Sequence, residues 1–419
     1  MDHYDVLIIG GGHGGAHAAI ALRQLGFGGS IAIVSGEPEY PYERPPLSKE
    51  YLSGDKGFER ILIRPPGFWS ERNVAILLGR RAVGVDAGAR SVTLDDGDMI
   101  GFGTLVWAAG GSPRKLACDG HDLAGVHYIR NRKDADQLAR DLADARNIVV
   151  VGGGYIGLEA AAVLRKRGLQ VTLIEAQSRV LARVAGAELS EFVETVHRQN
   201  GVEILTGTAM QCLEGSGRVT GVRLEGGTIL PADLVIVGIG IIPEIEPLVA
   251  AGALCENGVV VDAVCRTTLP DIFAIGDCAA HPNVFAPSVM IRLESVQNAV
   301  DQARIVAKAI LGDAEPYAAV PWFWSNQYDL KIQIVGLSSG FDQTVIRGNP
   351  AGRSFSICYL RTGRIIAMDC VNSPKDYVQG RKLVERALPV SPTRLADADI
   401  SLKSLADEDG EASKHTVAY

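Results

Sequence analysis

The sequence contains one glycine-rich pattern twice, in the same local context each time. The two copies read DVLIIGGGHGGAHAA and NIVVVGGGYIGLEAA. Their glycines in the G-x-G-x-x-G frame are Gly10, Gly12, Gly15, Gly152, Gly154 and Gly157. Each copy follows an apolar β-branched run and precedes an Ala-rich stretch, which predicts a strand, a tight turn and a helix. Because such a turn brings backbone N–H groups to a pyrophosphate at a helix N-terminus, the pattern predicts two bound dinucleotides.

The duplication extends beyond the glycines. In both halves a β-rich stretch follows, and each half ends on an apolar strand with glycines, LVWAAGG or LVIVGIG. From about Val320 the sequence changes to short strand-like runs and one helix. The chain is therefore predicted to be an α/β protein with two Rossmann-like dinucleotide-binding domains and a small α+β C-terminal domain. We expect one discontinuous domain over 1–112 and 241–319, a second over 113–240, and the third over 320–419.

Composition excludes several classes of function. A net charge of −8 over 419 residues argues against nucleic acid or an anionic membrane as partner. No apolar run is long enough to span a bilayer, and the chain enters its first strand without a signal-peptide pattern. Seven scattered cysteines without a C-x-x-C predict no metal site and are typical of a reducing cytoplasm. The sequence assigns no oligomeric state.

The second fingerprint carries a cue to its nucleotide. Glu175 ends the strand VTLIEA, at the distance expected for an acid that binds the adenosine ribose. A carboxylate there repels a 2′-phosphate, so the sequence favours NADH over NADPH. Arg183, like Arg179, is interpreted either as a pyrophosphate ligand or as surface charge. Further predicted contacts are Tyr155 and Ile156 in the fingerprint, and Gly238 in the later apolar strand LVIVGIG.

The first fingerprint is assigned from a motif far downstream. Its own acid is offset, because Ser35 ends the strand and Glu37 follows two residues later; we predict Glu37 as the ribose ligand and Gly14 as part of the loop. The segment TTLPDIFAIGDCA places Asp277 after an apolar strand. With both fingerprints, this segment resembles the FAD-dependent pyridine nucleotide–disulfide oxidoreductase superfamily. The resemblance implies a glutathione-reductase-like fold with FAD in the first domain and Asp277 on the flavin chain.

One segment narrows the resemblance to a subgroup of this superfamily. Disulfide reductases of this superfamily carry redox cysteines after the first strand pair, but here the segment reads PYERPPLSKEYL. A flavin without a neighbouring thiol passes its electrons to an external acceptor. ERPPLSK, RLESVQNA and PWFWSNQY resemble ferredoxin reductases that serve bacterial oxygenases. The alternatives are a rubredoxin or small-radical reductase and a redox-dependent binding flavoprotein of the cell-death type.

The resemblance implies roles for further residues. Lys49 and Glu159 are expected to form an ion pair beside flavin N5, where nicotinamide stacks. The remaining implied FAD contacts, together with a nicotinamide contact at Glu294, are Arg44, Lys49, Val83, Ala109, Arg130, Val296 and Trp324. Trp324, like Trp322, is alternatively part of the C-terminal core.

The implied reaction is hydride transfer from NADH to FAD, followed by single-electron transfer to a [2Fe-2S] ferredoxin that binds transiently. Because such ferredoxins are typically acidic, a local basic patch is expected, with Arg64, Arg304 and Lys331 as candidates. The acidic stretch 401–419 is predicted to be a loosely held tail.

Overall fold

The computed structural model describes residues 1–407. These residues form two compact units, each built from three chain segments. Unit 1 contains residues 1–46, 54–112 and 241–319. Unit 2 contains residues 47–53 and 113–240 together with the chain from Val320 onward. The chain thus passes from unit 1 into unit 2 at residue 47 and returns to unit 1 at residue 54.

The strands are β1 (Asp2–Ile9), β2 (Ile31–Ser35), β3 (Val74–Leu78), β4 (Ala82–Asp86), β5 (Ser91–Leu94), β6 (Met99–Trp107), β7 (Gly111–Pro113), β8 (Val126–Tyr128), β9 (Asn147–Val151), β10 (Gln170–Ile174), β11 (Val202–Leu205), β12 (Met210–Ser216), β13 (Arg218–Leu224), β14 (Ile229–Pro231), β15 (Leu234–Val237), β16 (Ile241–Pro243), β17 (Cys255–Glu256), β18 (Gly258–Val260), β19 (Ile272–Ala274), β20 (Ala279–Pro282), β21 (Met290–Ile291), β22 (Trp322–Gln327), β23 (Leu330–Gly336), β24 (Gln343–Asn349), β25 (Ser354–Arg361) and β26 (Arg364–Val371).

The helices are α1 (His13–Gln24), α2 (Pro66–Glu71), α3 (Arg132–Asp141), α4 (Tyr155–Lys166), α5 (Ala187–Gln199), α6 (Glu246–Ala250), α7 (Val296–Ile310), α8 (Pro374–Glu385) and α9 (Pro392–Ala396). Short 3-10 helices cover Pro45–Ser48, Phe58–Ile61 and Gly276–Cys278. No helix among residues 1–407 has the length and apolar character needed to cross a membrane.

Unit 1 is organised around a seven-stranded sheet. Strands β3, β2, β1 and β6 lie side by side in parallel, β5 and β4 continue antiparallel, and β19 also pairs with β6. The inner half of β1 is fully buried, as expected for a parallel strand covered on both faces. Helix α1 connects β1 to β2 and packs against α7, and its buried residues include Ala16 and Ala19. The first strand–helix–strand prediction is thereby confirmed.

The first part of unit 2 repeats this arrangement. A five-stranded parallel sheet has the order β11-β10-β9-β15-β8, and α4 connects β9 to β10. Strands β12, β13 and β14 form a separate antiparallel sheet. The second fingerprint therefore also lies at the carboxyl end of a buried strand, which is where ligands bind in open α/β sheets.

The rest of unit 2 is an antiparallel sheet of order β22-β23-β26-β25-β24, on which α8 packs. This confirms the predicted α+β C-terminal region. The beginning of the predicted loose tail is wrong, however, because residues 402–407 are helical and Leu402, Leu405 and Ala406 are buried. Their spacing of three and four residues places these apolar groups on one helix face. The remainder of that predicted tail, 408–419, lies outside the described residues.

Candidate functional site

The first fingerprint forms a turn that glycine alone fits. Gly10 has a φ of +114°, and a Cβ on it would lie 2.2 Å from the carbonyl oxygen of Ala108. A Cβ on Gly15 would lie 1.9 Å from the carbonyl oxygen of Gly10. In contrast, Gly12 is open, with Arg44 as its nearest group at 3.8 Å. Gly12 caps α1 without any side-chain hydrogen bond, so the turn presents unsatisfied N–H groups to the open side.

The second fingerprint repeats this geometry in unit 2. Gly152 has a φ of +107°, and its Cβ would lie 2.4 Å from the carbonyl oxygen of Gly238. A Cβ on Gly157 would lie 2.1 Å from the carbonyl oxygen of Gly152, whereas Gly154 faces open space. Gly154 caps α4, again without a side-chain hydrogen bond. Gly238, which follows β15, therefore lies against this turn.

The predicted ribose acid of the first fingerprint lies in a polar cluster of unit 1. Glu37 accepts a hydrogen bond from Arg44 at 2.5 Å and another from the hydroxyl of Tyr42. The negative charge of Asp277 acts to raise the pKa of Arg44, although Asp277 lies in a 3-10 turn from a distant part of the chain. Unit 1 thus brings three predicted FAD residues, Glu37, Arg44 and Asp277, into one electrostatic neighbourhood.

The turn that holds Asp277 is fixed by α7. The backbone N–H of Gly276 donates to the side-chain oxygen of Gln302 at 2.7 Å, and the backbone oxygen of Asp277 accepts from Arg292 at 2.8 Å. Arg292 also pairs with Glu294 at 2.8 Å. Val296 is the first residue of α7, which puts it at the positive end of the helix dipole.

Two further predicted FAD residues of unit 1 are in different surroundings. Ala109 follows β6 beside the first fingerprint, and its Cα would lie 3.1 Å from a Cβ on Gly10. Val83 lies at an irregularity in the pairing of β4 with β5, and it is half exposed. Gly14 is buried in the first turn of α1, against Ile275 and Ala108.

In unit 2, Glu175 follows β10 and turns back towards the second fingerprint. One of its carboxylate oxygens accepts from the N–H of Gly153 at 2.6 Å, and the other accepts from the N–H of Gln177 at 2.8 Å. Arg183 is exposed near Gly240, and Arg179 is instead bound to the carbonyl of Ala185 at 2.9 Å. The structure therefore favours a structural role for Arg179 and leaves Arg183 accessible.

Lys49 and Glu159 form a buried charged pair in unit 2. The Lys49 ammonium lies 2.9 Å from a carboxylate oxygen of Glu159, and the two side chains are 11% and 5% exposed. Ser325 donates to the same oxygen at 2.6 Å, and Ser48 donates to the other at 3.2 Å. Burial raises the pKa of the Glu159 carboxyl, and the opposing charge of Lys49 acts to lower it. Lys49 is thus a buried, paired lysine and not part of the solvated surface.

Aromatic rings surround this part of unit 2. Tyr155, at the start of α4, lies 4.8 Å from Phe323 between ring centroids, and burial raises its pKa well above the usual value. The ring of Trp324 lies 5.5 Å from that of Trp322, and both are half-buried rather than core residues. Ile156 is exposed next to Tyr155.

Four polar residues that hydrogen-bond to Glu37 or Glu159, directly or through one another, were not predicted from the sequence. They are Tyr42, Ser325, Gln327 and His197. Arg130, which was predicted, is half-buried and lies two residues before the start of α3. Ser325 and Gln327 were detectable only as polar residues two apart on a strand, which places them on the same face. Nothing in the sequence connects them with Glu159, because Ser325 is 166 residues away from it.

The residues in hand fit two dinucleotides. In each fingerprint the middle glycine leaves room where a Cβ would otherwise stand, beside uncapped N–H groups. Buried polar atoms without a protein partner also lie on α7 next to the Asp277 turn, at Asn298 Oδ1 and Gln302 Nε2. By contrast, residues 1–407 contain no group of three His, Cys, Asp or Glu side chains placed to hold a metal ion.

Comparison with known proteins gives a consistent result. Residues 4–303 match the family model described as pyridine nucleotide-disulphide oxidoreductase, and residues 322–406 match that described as reductase C-terminal. A ferredoxin–NAD(P)(+) reductase of a Sphingomonas species is 59% identical over 96% of this chain and 97% of its own length. The ferredoxin reductase subunit of the 5,5'-dehydrodivanillate O-demethylase of a Sphingobium species is 55% identical over 98% of this chain and 100% of its own length.

A solved structure agrees as well. The covalent putidaredoxin reductase–putidaredoxin complex superposes with a TM-score of 0.93, at 39% identity, over 97% of this chain and 98% of the matched chain. The predicted resemblance, fold class and cofactor pair, FAD with a nicotinamide dinucleotide, are therefore confirmed. The chain belongs to the pyridine nucleotide-disulphide oxidoreductase family and, within it, is similar throughout its length to the ferredoxin reductases.

Proposed function

We propose that the protein takes electrons from NADH and delivers them through FAD to a [2Fe-2S] ferredoxin that serves a cytochrome or Rieske-type oxygenase. The observation that carries the proposal is the buried Lys49–Glu159 ion pair. It lies on a segment where a disulfide reductase would hold a redox thiol, and PYERPPLSKEYL contains none. The names of the relatives, which are ferredoxin reductases, support the same acceptor.

Each residue has a defined task in this proposal. The uncapped N–H groups at Gly12 bind the FAD pyrophosphate, Glu37 its ribose, and Asp277 the chain that leads to the ring. The chemistry that a bound FAD would supply is acceptance of a hydride from the nicotinamide and release of single electrons. The N-terminus of α7 at Val296 stabilises negative charge on the ring. Lys49 and Glu159 shape the nicotinamide pocket and exclude water from it.

Three further assignments accompany this one. We place FAD on 1–112 and 241–319, NADH on 113–240, and the ferredoxin-facing surface partly on the C-terminal region from 320 to 419. Glu175 gives NADH its preference over NADPH, because a 2′-phosphate would meet a carboxylate. All seven cysteines are free thiols, in keeping with a reducing cytoplasm.

For the ferredoxin we propose a small, transient contact through exposed basic residues, with the candidates named separately for each unit. Arg64 and Arg304 in unit 1 and Lys331 in unit 2 are all exposed. An acidic partner would be attracted to such charges over a distance of about 8 Å at physiological ionic strength. The contact would therefore weaken as salt is added.

The decisive experiment is an electron-transfer assay with alternative acceptors. Purified holoenzyme is mixed with NADH, cytochrome c, and either a two-iron ferredoxin, a rubredoxin or no carrier. We expect the rate of cytochrome c reduction to rise at least tenfold when the ferredoxin is added, and not when the rubredoxin is added. An equal rate with and without ferredoxin would contradict the proposal, and faster reduction with rubredoxin would point to the alternative acceptor.

A variant tests the ion pair itself. Lys49→Met should slow anaerobic reduction of the bound flavin by NADH at least tenfold, because it leaves Glu159 as an unpaired buried carboxylate. Lys308→Met is the matched control, since Lys308 also pairs with a glutamate, Glu315, but on the far end of α7. A normal rate in Lys49→Met would remove Lys49 from the site.

A further inference from the structure

A continuous line of buried hydrogen bonds leads away from Glu159. Ser325 Oγ donates to Glu159 at 2.6 Å, and Gln327 Nε2 donates to Ser325 Oγ at 3.1 Å. Gln327 Oε1 lies 2.8 Å from Nε2 of His197, whose Nδ1 lies 3.3 Å from the hydroxyl of Tyr328. We call Ser325, Gln327, His197 and Tyr328 the Glu159 array. All four belong to unit 2, as does Glu159.

The hydrogen bonds of the Glu159 array all run in one direction from donor to acceptor. Because the amide nitrogen of Gln327 faces Ser325, its oxygen must accept from His197, which makes Nε2 the protonated nitrogen. Nδ1 is then the acceptor for the Tyr328 hydroxyl. Burial lowers the pKa of His197 to about 4, so the ring is neutral at physiological pH. Every donor in the array therefore points towards the carboxylate of Glu159.

Aligned donors polarise one another, which strengthens the last hydrogen bond onto the carboxylate. That bond is needed, since burial favours the neutral form of Glu159 and Lys49 supplies only one opposing charge. The array does not carry protons, because the amide of Gln327 neither gains nor loses a proton near neutral pH. Its effect is on the charge and the orientation of Glu159.

The array also connects separate parts of the chain. Ser325 and Gln327 are alternate residues of β22 and are fully buried, whereas His197 comes from α5 and Glu159 from α4. The C-terminal region thus acts on a residue of the second fingerprint helix. A buried Ser, Gln and His would otherwise weaken this interior, where apolar groups of the same size would pack without polar desolvation.

We propose that Ser325, Gln327 and His197 are positioning residues for hydride transfer, which keep Glu159 ionised and aligned with Lys49. The inference rests on the proposed function, in which the Lys49–Glu159 pair shapes the nicotinamide pocket. It adds three residues, none of which is expected to touch either dinucleotide.

The test is a set of serine variants measured by anaerobic reduction of the bound flavin with NADH across a pH series. Ser325→Ala should slow flavin reduction about tenfold at neutral pH, as expected for loss of a hydrogen bond to a charged group. In this variant the acid limb of the curve of rate against pH should move to higher pH, because the removed hydroxyl favours the ionised form of the Glu159 carboxyl. Ser325→Thr, which keeps the hydroxyl, should behave as the wild type. Ser356→Ala, in the same C-terminal sheet, removes another buried hydroxyl and should leave both rate and profile unchanged.

A readout independent of activity is the infrared spectrum of the protein without NADH. The C=O stretch of a protonated carboxyl should appear at neutral pH in Ser325→Ala and disappear when Glu159→Gln is added. The other ionisable groups that face Glu159 are Lys49 and Tyr155, and Tyr155 in turn faces Asp369. An Asp369→Asn background separates the signal of that aspartate, whose pKa burial raises to about 7.

The outcomes separate the two levels of inference. A slow Glu159→Gln together with a normal Ser325→Ala would overturn the array and leave the ion pair in place. A normal Glu159→Gln would contradict the proposed function of the pair and the array with it. If Ser325→Ala does not fold, Gln327→Glu serves instead, because it replaces the donor to Ser325 with an acceptor. It should shift the profile in the same direction, and an unshifted profile overturns the proposal.

Discussion

At the scale of single residues, Glu175 shows how a carboxylate is held ready for a ligand. Both of its oxygens accept from backbone N–H groups, at Gly153 and at Gln177, and each oxygen keeps a second acceptor position. The side chain is thereby held against the second fingerprint before any nucleotide arrives. Such a preorganised charge discriminates between nucleotides more sharply than a mobile one.

We expect Glu175→Gln to move the ratio of kcat/KM for NADH over NADPH towards NADPH by about tenfold, which corresponds to about 1.4 kcal/mol. The reason is the loss of a negative charge opposite the 2′-phosphate. Glu203→Gln on neighbouring β11, where Glu203 accepts from Thr172, is the control and should keep the ratio. An unchanged ratio in Glu175→Gln would remove this residue from nucleotide selection.

His281 gives unit 1 a sensitivity to acid. Its ring is buried near Tyr317, and burial lowers its pKa to about 4. The unfolded chain therefore binds a proton at higher pH than the folded one. Stability should fall as pH drops from about 6.5 to about 4, by about 1.4 kcal/mol per pH unit for this group.

Thermal unfolding between pH 4 and pH 7 measures this effect. His281→Leu should flatten the acid side of the curve, because the variant has no proton to gain. His121→Leu is the control, since His121 is exposed and its removal should leave the slope as it is. An equally steep curve in His281→Leu would show that other groups cause the loss.

At the scale of elements, Arg347 fastens the chain after α9 to β24. Its guanidinium is buried and pairs with Asp376 at 3.0 Å. It also donates to the backbone oxygens of Asp397, Ala398 and Ile400. One side chain thus satisfies carbonyls in a segment with little regular structure.

Arg347→Leu should destabilise unit 2 by about 3 kcal/mol, as expected when one partner of a buried ion pair is removed. The segment after residue 396 should become open to limited proteolysis at the same time. Arg353→Leu is the control, because Arg353 pairs with Asp329 at the surface and should cost less than about 1 kcal/mol. Resistance of Arg347→Leu to protease would mean that the apolar face at Leu402 and Leu405 holds the segment without it.

The start of α5 and the C-terminal sheet meet at a glycine. The N–H of Gly186 donates to the hydroxyl of Tyr359 at 3.2 Å, and that hydroxyl donates to Asp369 at 2.6 Å. A Cβ on Gly186 would lie 2.5 Å from the same hydroxyl. This glycine is required by proximity, because its φ of −68° suits any residue.

Gly186→Ala should therefore lower the stability of the protein by about 1–3 kcal/mol through overpacking. Tyr359→Phe removes the hydroxyl, so the double variant should lose less than the sum of the single ones. Chemical denaturation of the four proteins gives this interaction energy. Strict additivity would show that the backbone moves away and relieves the contact.

At the scale of the whole molecule, local patterns and long-range contacts differ in how far the sequence reveals them. The fingerprint turns at Gly10 and Gly152 were predictable, because strand, turn and helix are adjacent in sequence. The Glu159 array was not, since Gln327 and His197 come together only once β22 has packed in unit 2. The error at 402–407 had a similar cause, because the sequence does not show which surface Leu402, Leu405 and Ala406 cover.

The pairing of β19 with β6 has a consequence for how the protein is made. Ile272–Ala274 complete the carboxyl half of β6 at Leu105–Trp107, but a ribosome reaches them only after all of 113–240 has been synthesised. At roughly 5–20 residues per second, that half of β6 waits on the order of ten seconds with an open edge. The parallel sheet of β8–β11 and β15 has by then left the exit tunnel. During translation, unit 1 therefore begins first, yet its sheet is completed only after the 113–240 part of unit 2 has been made.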